Sequence, residues 1–362
     1  MTTPRGSRPR VLYYAHQHGA GHVHHAASLI AAEVADVTVV TAHPRAARML
    51  PAGAAVVTLP SDLVDGHVQP EDSALHWSPV GPVIRERFAA LLAAAQRVRP
   101  DVVVVDVSVE AALFLRLAGY PVIHRRMHGD RTDPAHELVY TEMDGLVSYC
   151  GPGLEEPAWR ERYGAKTAFV GTADRTGRLA VAAAPRQWTP GGTVRPRITV
   201  VTGTGGGGVG LADLIRAAEQ VPQAQWDVYG PVVGDADRQA PVQLRLHGWT
   251  DDAPARLVEA DLVVVSAGHN ATVDAVRSAR PMVLAPERRP FQEQHRFAQA
   301  AQAQAGVPWC AWEDPRADWA GAVRTALQDP SAADRLAAEL LTEPEEHRRR
   351  WEQALARAAQ PE

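Results

Sequence analysis

Cysteine is nearly missing from this chain. Cys150 and Cys310 are the only two in 362 residues. Two cannot form a disulfide framework, so reduced thiols and a cytoplasmic location are the expectation. Lysine is scarcer still: Lys166 stands alone among 37 basic residues. With abundant Ala and Val, this reads as the coding bias of a GC-rich genome rather than as function. There is no excess of positive charge. The formal net charge is −5, so nothing global attracts nucleic acid or an anionic membrane. No apolar stretch is long enough to span a bilayer, which leaves only peripheral membrane contact open. The start, MTTPRGSRPR, lacks the apolar core of a signal peptide. A hydrophobic content of 46% with 22% charged residues excludes disorder. The length exceeds one average core, so two domains are expected.

What is present is an alternation. Short Val-rich runs at 11–15, 37–40, 54–59, 102–105, 121–123, 146–148 and 168–170 alternate with helical patterns such as 83–98 and 108–117. Continuous apolar strands between helices indicate a parallel sheet covered on both faces. Residues 175–195 carry Pro, Gly and Arg without periodicity and read as a linker. The alternation then restarts, with strands expected at 198–201, 226–229, 242–246, 262–265 and 282–284. The fold class is therefore α/β, with two doubly wound Rossmann-like domains facing a central cleft, at 1–174 and 196–342. Residues 343–362 form a charged helix, either folded back across the linker to the first domain or a solvated tail. A ligand belongs in the cleft at the C-terminal strand ends.

The polar motifs fall at those strand ends. In VTGTGGGGVG, the residues Thr202, Gly203, Thr204, Gly205 and Gly206 lie between a strand and a helix. Glycine lets the backbone approach a ligand, and a helix N-terminus offers free N–H groups, so this is a candidate diphosphate cradle. It is neither a Walker loop nor a dinucleotide fingerprint, and a flexible turn is the alternative. Gly268, His269, Asn270, Ala271 and Thr272 form a second such mouth. Five small or polar groups exceed what one cap requires. Asp274, one turn in, is placed to accept from both hydroxyls of a ribose. Glu293 and Gln294 open the next helix about 100 degrees apart, suited to the hydroxyls of one sugar.

In the first half, AHQHGAGHVHHAA places His22 at a helix start beside the cleft. An imidazole there can take a proton from a hydroxyl. Its five histidines have no carboxylate or Cys partner at a familiar zinc spacing, so no metal is expected. Asp106 ends a strand and either supports His22 as a dyad or caps the next helix. Trp249 follows a strand and either flanks a base or is buried. The loop Arg125–Asp130 is a candidate contact for acceptor or phosphate. Asp235 and Asp237, in a Pro- and Gly-rich turn, read as a loop.

Taken together, these motifs resemble the GT-B nucleotide-sugar glycosyltransferases. SAGHNATVD is similar to the HCGWNSTLE signature of the UDP-sugar glycosyltransferases: Gly268, Asn270 and Thr272 match, and Asp274 replaces the ribose-binding Glu. Glu293–Gln294 resembles their donor-sugar pair. VTGTGGGG and GAGHV are similar to the phosphate loop and Gly-Gly-His-Val turn of the peptidoglycan lipid-intermediate N-acetylglucosaminyltransferase. Asp106 falls where plant enzymes keep the Asp that supports the catalytic His. The chain departs from the plant motif at Ser266 (His there) and at His269 (Trp there), which offers an imidazole to the phosphates. It also lacks the Pro-Gln after Trp249.

The resemblance implies an inverting, metal-independent transfer from a nucleoside diphosphate sugar, UDP before dTDP, to an acceptor hydroxyl on a natural product or glycolipid. His22 and Asp106 would be catalytic, and no cofactor is required beyond the co-substrate. GxGHV also resembles the UDP-sugar hydrolase of pseudaminic acid synthesis. A hydrolase and a noncatalytic sugar-nucleotide-binding regulator remain the alternatives.

Overall fold

The computed structural model describes residues 8–70, 73–177, 195–203, 208–234 and 240–360. Two parallel sheets organise them. The first contains β1 (Arg10–Ala15), β2 (Asp36–Thr41), β3 (Ala55–Thr58), β4 (Val102–Asp106), β5 (Val122–Arg125), β6 (Gly145–Ser148) and β7 (Thr167–Phe169), ordered β3-β2-β1-β4-β5-β6-β7. β8 (Thr172–Ala173) leads out of it. The second contains β9 (Arg197–Val201), β11 (Gln225–Tyr229), β13 (Leu244–Gly248), β14 (Leu262–Val265) and β15 (Met282–Leu284), ordered β13-β11-β9-β14-β15. β10 (Val209–Gly210) and β12 (Val232–Val233) pair outside it.

The central strands are buried on both faces because their residues are apolar at every position. β4 reads VVVVD with all five residues buried, and Val11 pairs with Val37 on one side and Val102 on the other. Both sheets reverse direction beside their first strand, between β1 and β4 and between β9 and β14. The crevice outside such switch points is where doubly wound sheets hold ligands.

Val242 is outside its expected strand. The Leu244 N–H donates to the Pro241 carbonyl at 2.8 Å, and this turn leaves Val242 86% exposed, so β13 begins two residues later. Most of the predicted linker, 178–194, lies outside the described residues.

The chain ends on the first half. β16 (Leu341–Thr342) pairs with β8, and the helix Pro344–Ala358 follows. Pro at its first turn and Glu345 and Glu346 beside it suit a helix N-terminus. His347, Trp351, Leu355 and Ala358 form one buried stripe, and the last three join the core of Tyr149, Val147 and Val170. Arg350 and Arg357 donate to the carbonyls of Phe169 and Ala165, closing the exposed edge beside β7. Among the described residues no helix is long and apolar enough to cross a membrane.

Trp351 is fully buried and 6.2 Å from the Tyr149 ring. Trp351→Ala is expected to lower unfolding free energy by about 3–5 kcal/mol. Denaturant titration followed by far-UV circular dichroism measures this, and an unchanged midpoint would remove the helix from the account of stability.

Several histidines are held neutral inside. Burial pushes His25 and His124 down to about 3 and His136 down to about 4. The unfolded chain therefore binds more protons than the native one below about pH 6.5, and stability falls as pH drops through that window toward 3. Each such group contributes about 1.4 kcal/mol per pH unit. Thermal melts are expected to show Tm falling steadily from pH 7 to pH 4; a flat profile would contradict neutral burial.

Candidate active site

The first switch point assembles a buried carboxylate. Asp106 ends β4 with no exposed surface. Its Oδ1 accepts from His22 Nδ1 at 2.9 Å and from Arg125 NH1 at 2.9 Å. Its Oδ2 accepts from the Tyr13 hydroxyl at 3.0 Å and from His25 Nδ1 at 3.2 Å. Burial alone would raise this carboxyl. The Arg125 guanidinium and the hydrogen bonds from His22 and His25 outweigh burial and hold it well below the usual carboxylate range. Capping falls instead to Ser108, whose hydroxyl accepts from the Ala111 N–H at 3.2 Å. Between the two, Val107 has φ +89°, an outlier for a β-branched residue. This conformation turns the chain out of the strand directly after Asp106, which still pairs with Ala15 in the sheet.

His22 is the second residue of the Gly21–Ala32 helix. His22 Nδ1 lies 2.9 Å from the Asp106 carboxylate and 3.4 Å from Arg125 NH1, and the shorter contact favours donation from Nδ1 to the carboxylate, an arrangement that in a neutral ring leaves the Nε2 lone pair free. The side chain remains 12% exposed. His25 differs although it holds the same carboxylate. Its ring stacks on Tyr149 at 3.9 Å, and its Nε2 is enclosed without a partner.

The second switch point faces the first. Gly268 precedes the His269–Arg277 helix in extended conformation, and no side chain caps that helix. Asn270 Nδ2 lies 3.4 Å from His24 Nδ1. A Cβ at Gly21 would stand 3.3 Å from the same amide. The N-termini of two helices thus meet across the cleft beside His22. Two positive dipole ends brought together favour an anion between them.

Several expected phosphate ligands are otherwise engaged. The Thr202 N–H donates to the Tyr229 carbonyl at 2.9 Å and its hydroxyl to the Pro231 carbonyl at 2.9 Å, so neither is free for phosphate. The Thr272 hydroxyl donates to the Gly268 carbonyl at 2.9 Å inside the core, so the helix itself takes it. His269 turns toward the first half: Nε2 meets the Thr172 hydroxyl at 3.1 Å and Nδ1 the Cys150 sulfur at 3.9 Å. Burial pushes this imidazole well below its ordinary range. These contacts tie the second half to the first. Gly203 is exposed after β9; Thr204, Gly205 and Gly206, like Asp235 and Asp237, lie outside the described residues. Ala271 is partly buried against the core of the second half.

The presumed sugar pair is split. Gln294 is 4% exposed and its Oε1 accepts from the Glu287 N–H at 2.9 Å. Its Nε2 lies near Gly268, 3.5 Å from where a Cβ would be. Glu293 pairs with Arg131 of the first half at 3.2 Å. Asp274 stays half-exposed, 3.9 Å from Arg277, and burial raises its carboxyl. Trp249 is not buried: it is 61% exposed and its indole N–H donates to Asp251 at 2.9 Å. Among the described residues no group of three or more His, Cys, Asp or Glu is arranged to hold a metal ion.

Sequence reasoning underrated Arg125. It was grouped with a loop, but it closes β5, adjacent in the sheet to β4, and so lies beside Asp106. Opposite charges ending two apolar strands were the available signal. Tyr13 and Tyr149 carried no signal beyond their apolar setting, and His25 was one of the five histidines of the first motif. A narrow space of about 20 Å³ lies between the halves, lined by Arg125, Tyr149, Cys150, Ala267, His269 and Glu293 among others.

No protein-family model and no curated protein sequence matches the chain. Solved structures do match. The glycosyltransferase of kitacinnamycin has a TM-score of 0.61 at 19% identity, over 98% of this chain and 98% of its own. The spinosyn forosaminyltransferase SpnP has a TM-score of 0.63 at 17% identity, over 97% of this chain and 100% of its own. MurG of Acinetobacter baumannii has a TM-score of 0.57 at 14% identity, over 93% of this chain and 97% of its own. At these identities the likeness is one of architecture. The chain has the two-lobed GT-B fold of glycosyltransferases, with parallel sheets of seven and five strands.

Proposed function

We propose that the chain is an inverting glycosyltransferase that moves a sugar from a nucleoside diphosphate sugar to an acceptor hydroxyl. One observation carries the reading. His22 Nε2, the ring nitrogen that Asp106 does not engage, lies at the place where two helix N-termini converge. A base and an anion site so close together suit a reaction that activates a nucleophile and releases a diphosphate.

In this reading the acceptor hydroxyl gives its proton to His22 Nε2 and attacks the anomeric carbon opposite the leaving group. Asp106 stabilises the imidazolium that forms and holds its tautomer. The leaving diphosphate gathers charge against the main-chain N–H groups at Gly268–Ala271, the Asn270 amide and the loop after β9. These neutral donors take the place of a metal. Thr202, His269 and Thr272 have no direct role, since their polar atoms are engaged within the protein. Gln294 and Glu293 meet the donor sugar, Glu293 after exchange from Arg131. Asp274 accepts from the ribose, which favours UDP over dTDP. The acceptor is a natural product or glycolipid bound by the first half. The cytoplasm is the compartment that suits two buried free thiols.

His22→Ala is expected to lower kcat by roughly 100- to 10,000-fold while donor affinity stays within a few-fold. Turnover assays beside calorimetric titration of the nucleotide sugar measure both, and equal losses in the two would remove His22 as the base. Full-rate sugar release from donor without any acceptor would replace the transferase with a hydrolase. UDP is expected to bind more tightly than dTDP, and Asp274→Asn to shrink that difference. Equal affinities in the unaltered chain would count against ribose recognition by Asp274.

A further inference from the structure

In a simple carboxylate–imidazole pair the anion draws a proton onto the ring, raising its proton affinity. His22 has a different neighbourhood. Oδ1 of Asp106 is shared by His22 Nδ1 and Arg125 NH1, each at 2.9 Å, and Arg125 NH1 also reaches His22 Nδ1 itself at the longer distance of 3.4 Å. The ring therefore faces one negative and one positive charge at nearly equal distance, and by Coulomb's law their effects largely cancel.

Arg125 is held for this task. It closes β5, is 7% exposed, and its guanidinium lies 5.3 Å from the Tyr149 ring centre. Its Nε has no partner, and its NH1 is engaged by Asp106 at 2.9 Å and by His22 at 3.4 Å. Other titratable groups around His22 come from several elements. Tyr13 on β1 and Tyr149 after β6 reach it through Asp106, and both stay neutral because burial raises their hydroxyls. His25, on the same helix, is driven down to about 3 by burial, and His24 is lowered by burial as well. The His16 ring lies 5.9 Å away, with His18 beside it. His43 approaches from beyond β2, and His269 meets His25 from the other half. The Asp62 carboxylate, 3.5 Å from His16, is itself paired with Arg87 at 3.3 Å, and among charged groups only Asp106 and Arg125 touch His22 directly. The balance at His22 is set by Asp106 and Arg125.

We propose that Arg125 is a positioning residue: its guanidinium cancels the Asp106 charge at His22, so that the imidazole stays anchored at Nδ1 yet keeps Nε2 free of a proton. The inference rests on His22 acting as the base. It adds that Asp106 contributes tautomer and orientation while Arg125 prevents the ring from becoming a resting cation. A base that is unprotonated before the substrate arrives works to lower pH than an ordinary dyad.

The test is a charge-balance cycle read on His22 itself. Isotope-labelled histidine is titrated by NMR in the full chain, without substrate, for four proteins: unaltered, Arg125→Met, Asp106→Asn, and the double variant. Arg125→Met is expected to raise the His22 midpoint by about 1–3 pH units, roughly ten- to a thousandfold in proton affinity. Asp106→Asn is expected to lower it. The double variant, neutral again and free of the buried ion pair, is expected to return near the unaltered value; it also serves if the single variants fold poorly. Arg125→Lys is expected to keep most of the unaltered midpoint.

The acid limb of kcat/KM is expected to move upward with His22 in Arg125→Met, a change that mere loss of packing does not produce. An unchanged or lowered midpoint in Arg125→Met overturns the proposal, as does a double variant displaced from the unaltered value. If His22→Ala keeps full turnover, the base reading fails on its own. If His22→Ala is inactive and the midpoint of Arg125→Met does not move, only the role of Arg125 falls.

Discussion

Burying the Asp106 carboxylate is the constraint around which the first half is arranged. An isolated charge without exposed surface costs many kcal/mol, and hydrogen bonds and a counter-ion must offset that cost. Four donors do so, drawn from β1, the first helix and β5. Each is consequently fixed. Tyr13 is tied to Tyr149, whose face carries both His25 and Arg125. Val107 accepts a left-handed backbone so that the chain can leave β4 without moving the carboxylate. His22 alone among the four keeps an unengaged polar atom at the cleft.

The second half is locked to this arrangement by contacts from the loop that follows Arg125. Arg126 pairs with Glu155 within the first half at 2.8 Å, while Arg131 reaches Glu293 and Asp130 takes a bidentate contact from Arg296 at 2.7 and 3.1 Å across the halves. A side chain at Gly129 would collide with the Phe291 carbonyl at 2.5 Å, so glycine is what allows the two loops to touch. Phe291 and Gln292 both have positive φ in the turn before Glu293. The Phe291 ring is covered by Arg131 at 4.4 Å and His136 at 4.9 Å. Carboxylate, cleft and the Glu293 turn therefore form one continuous set of contacts. The C-terminal helix adds a second tie by placing Trp351 and Leu355 in the core of the first half.

How much of this was legible in the chain depended on distance along it. The strands were readable because burial on both faces demands apolar residues at consecutive positions, as in Val102–Val105. The turns before Gly21 and after Val265 were readable because glycine and small polar residues at strand ends have few other uses. The edge strand β13 was misplaced by two residues because its outer side is exposed and Pro241 opens a turn, so its pattern is weak. Thr202, Thr272 and His269 looked like phosphate ligands by residue type. In the folded chain their polar atoms have partners within the protein, because a hydroxyl or imidazole within reach of a buried carbonyl or hydroxyl satisfies that partner. Trp249, left open between base platform and core, proved to be an exposed side chain beside Asp251.

By itself the sequence determined the alternation of strands and helices and the placement of His22, Asp106, Gly268 and Asn270 at strand or helix ends. These follow from local periodicity and backbone freedom. Only the tertiary structure decided which side chains meet: that His22 and Asp106, 84 residues apart, share an oxygen with Arg125, and that two helix N-termini face each other across the halves. Protonation and the availability of a lone pair depend on neighbours within a few ångströms. The folding of a long chain supplies those neighbours, and no stretch of it encodes them alone.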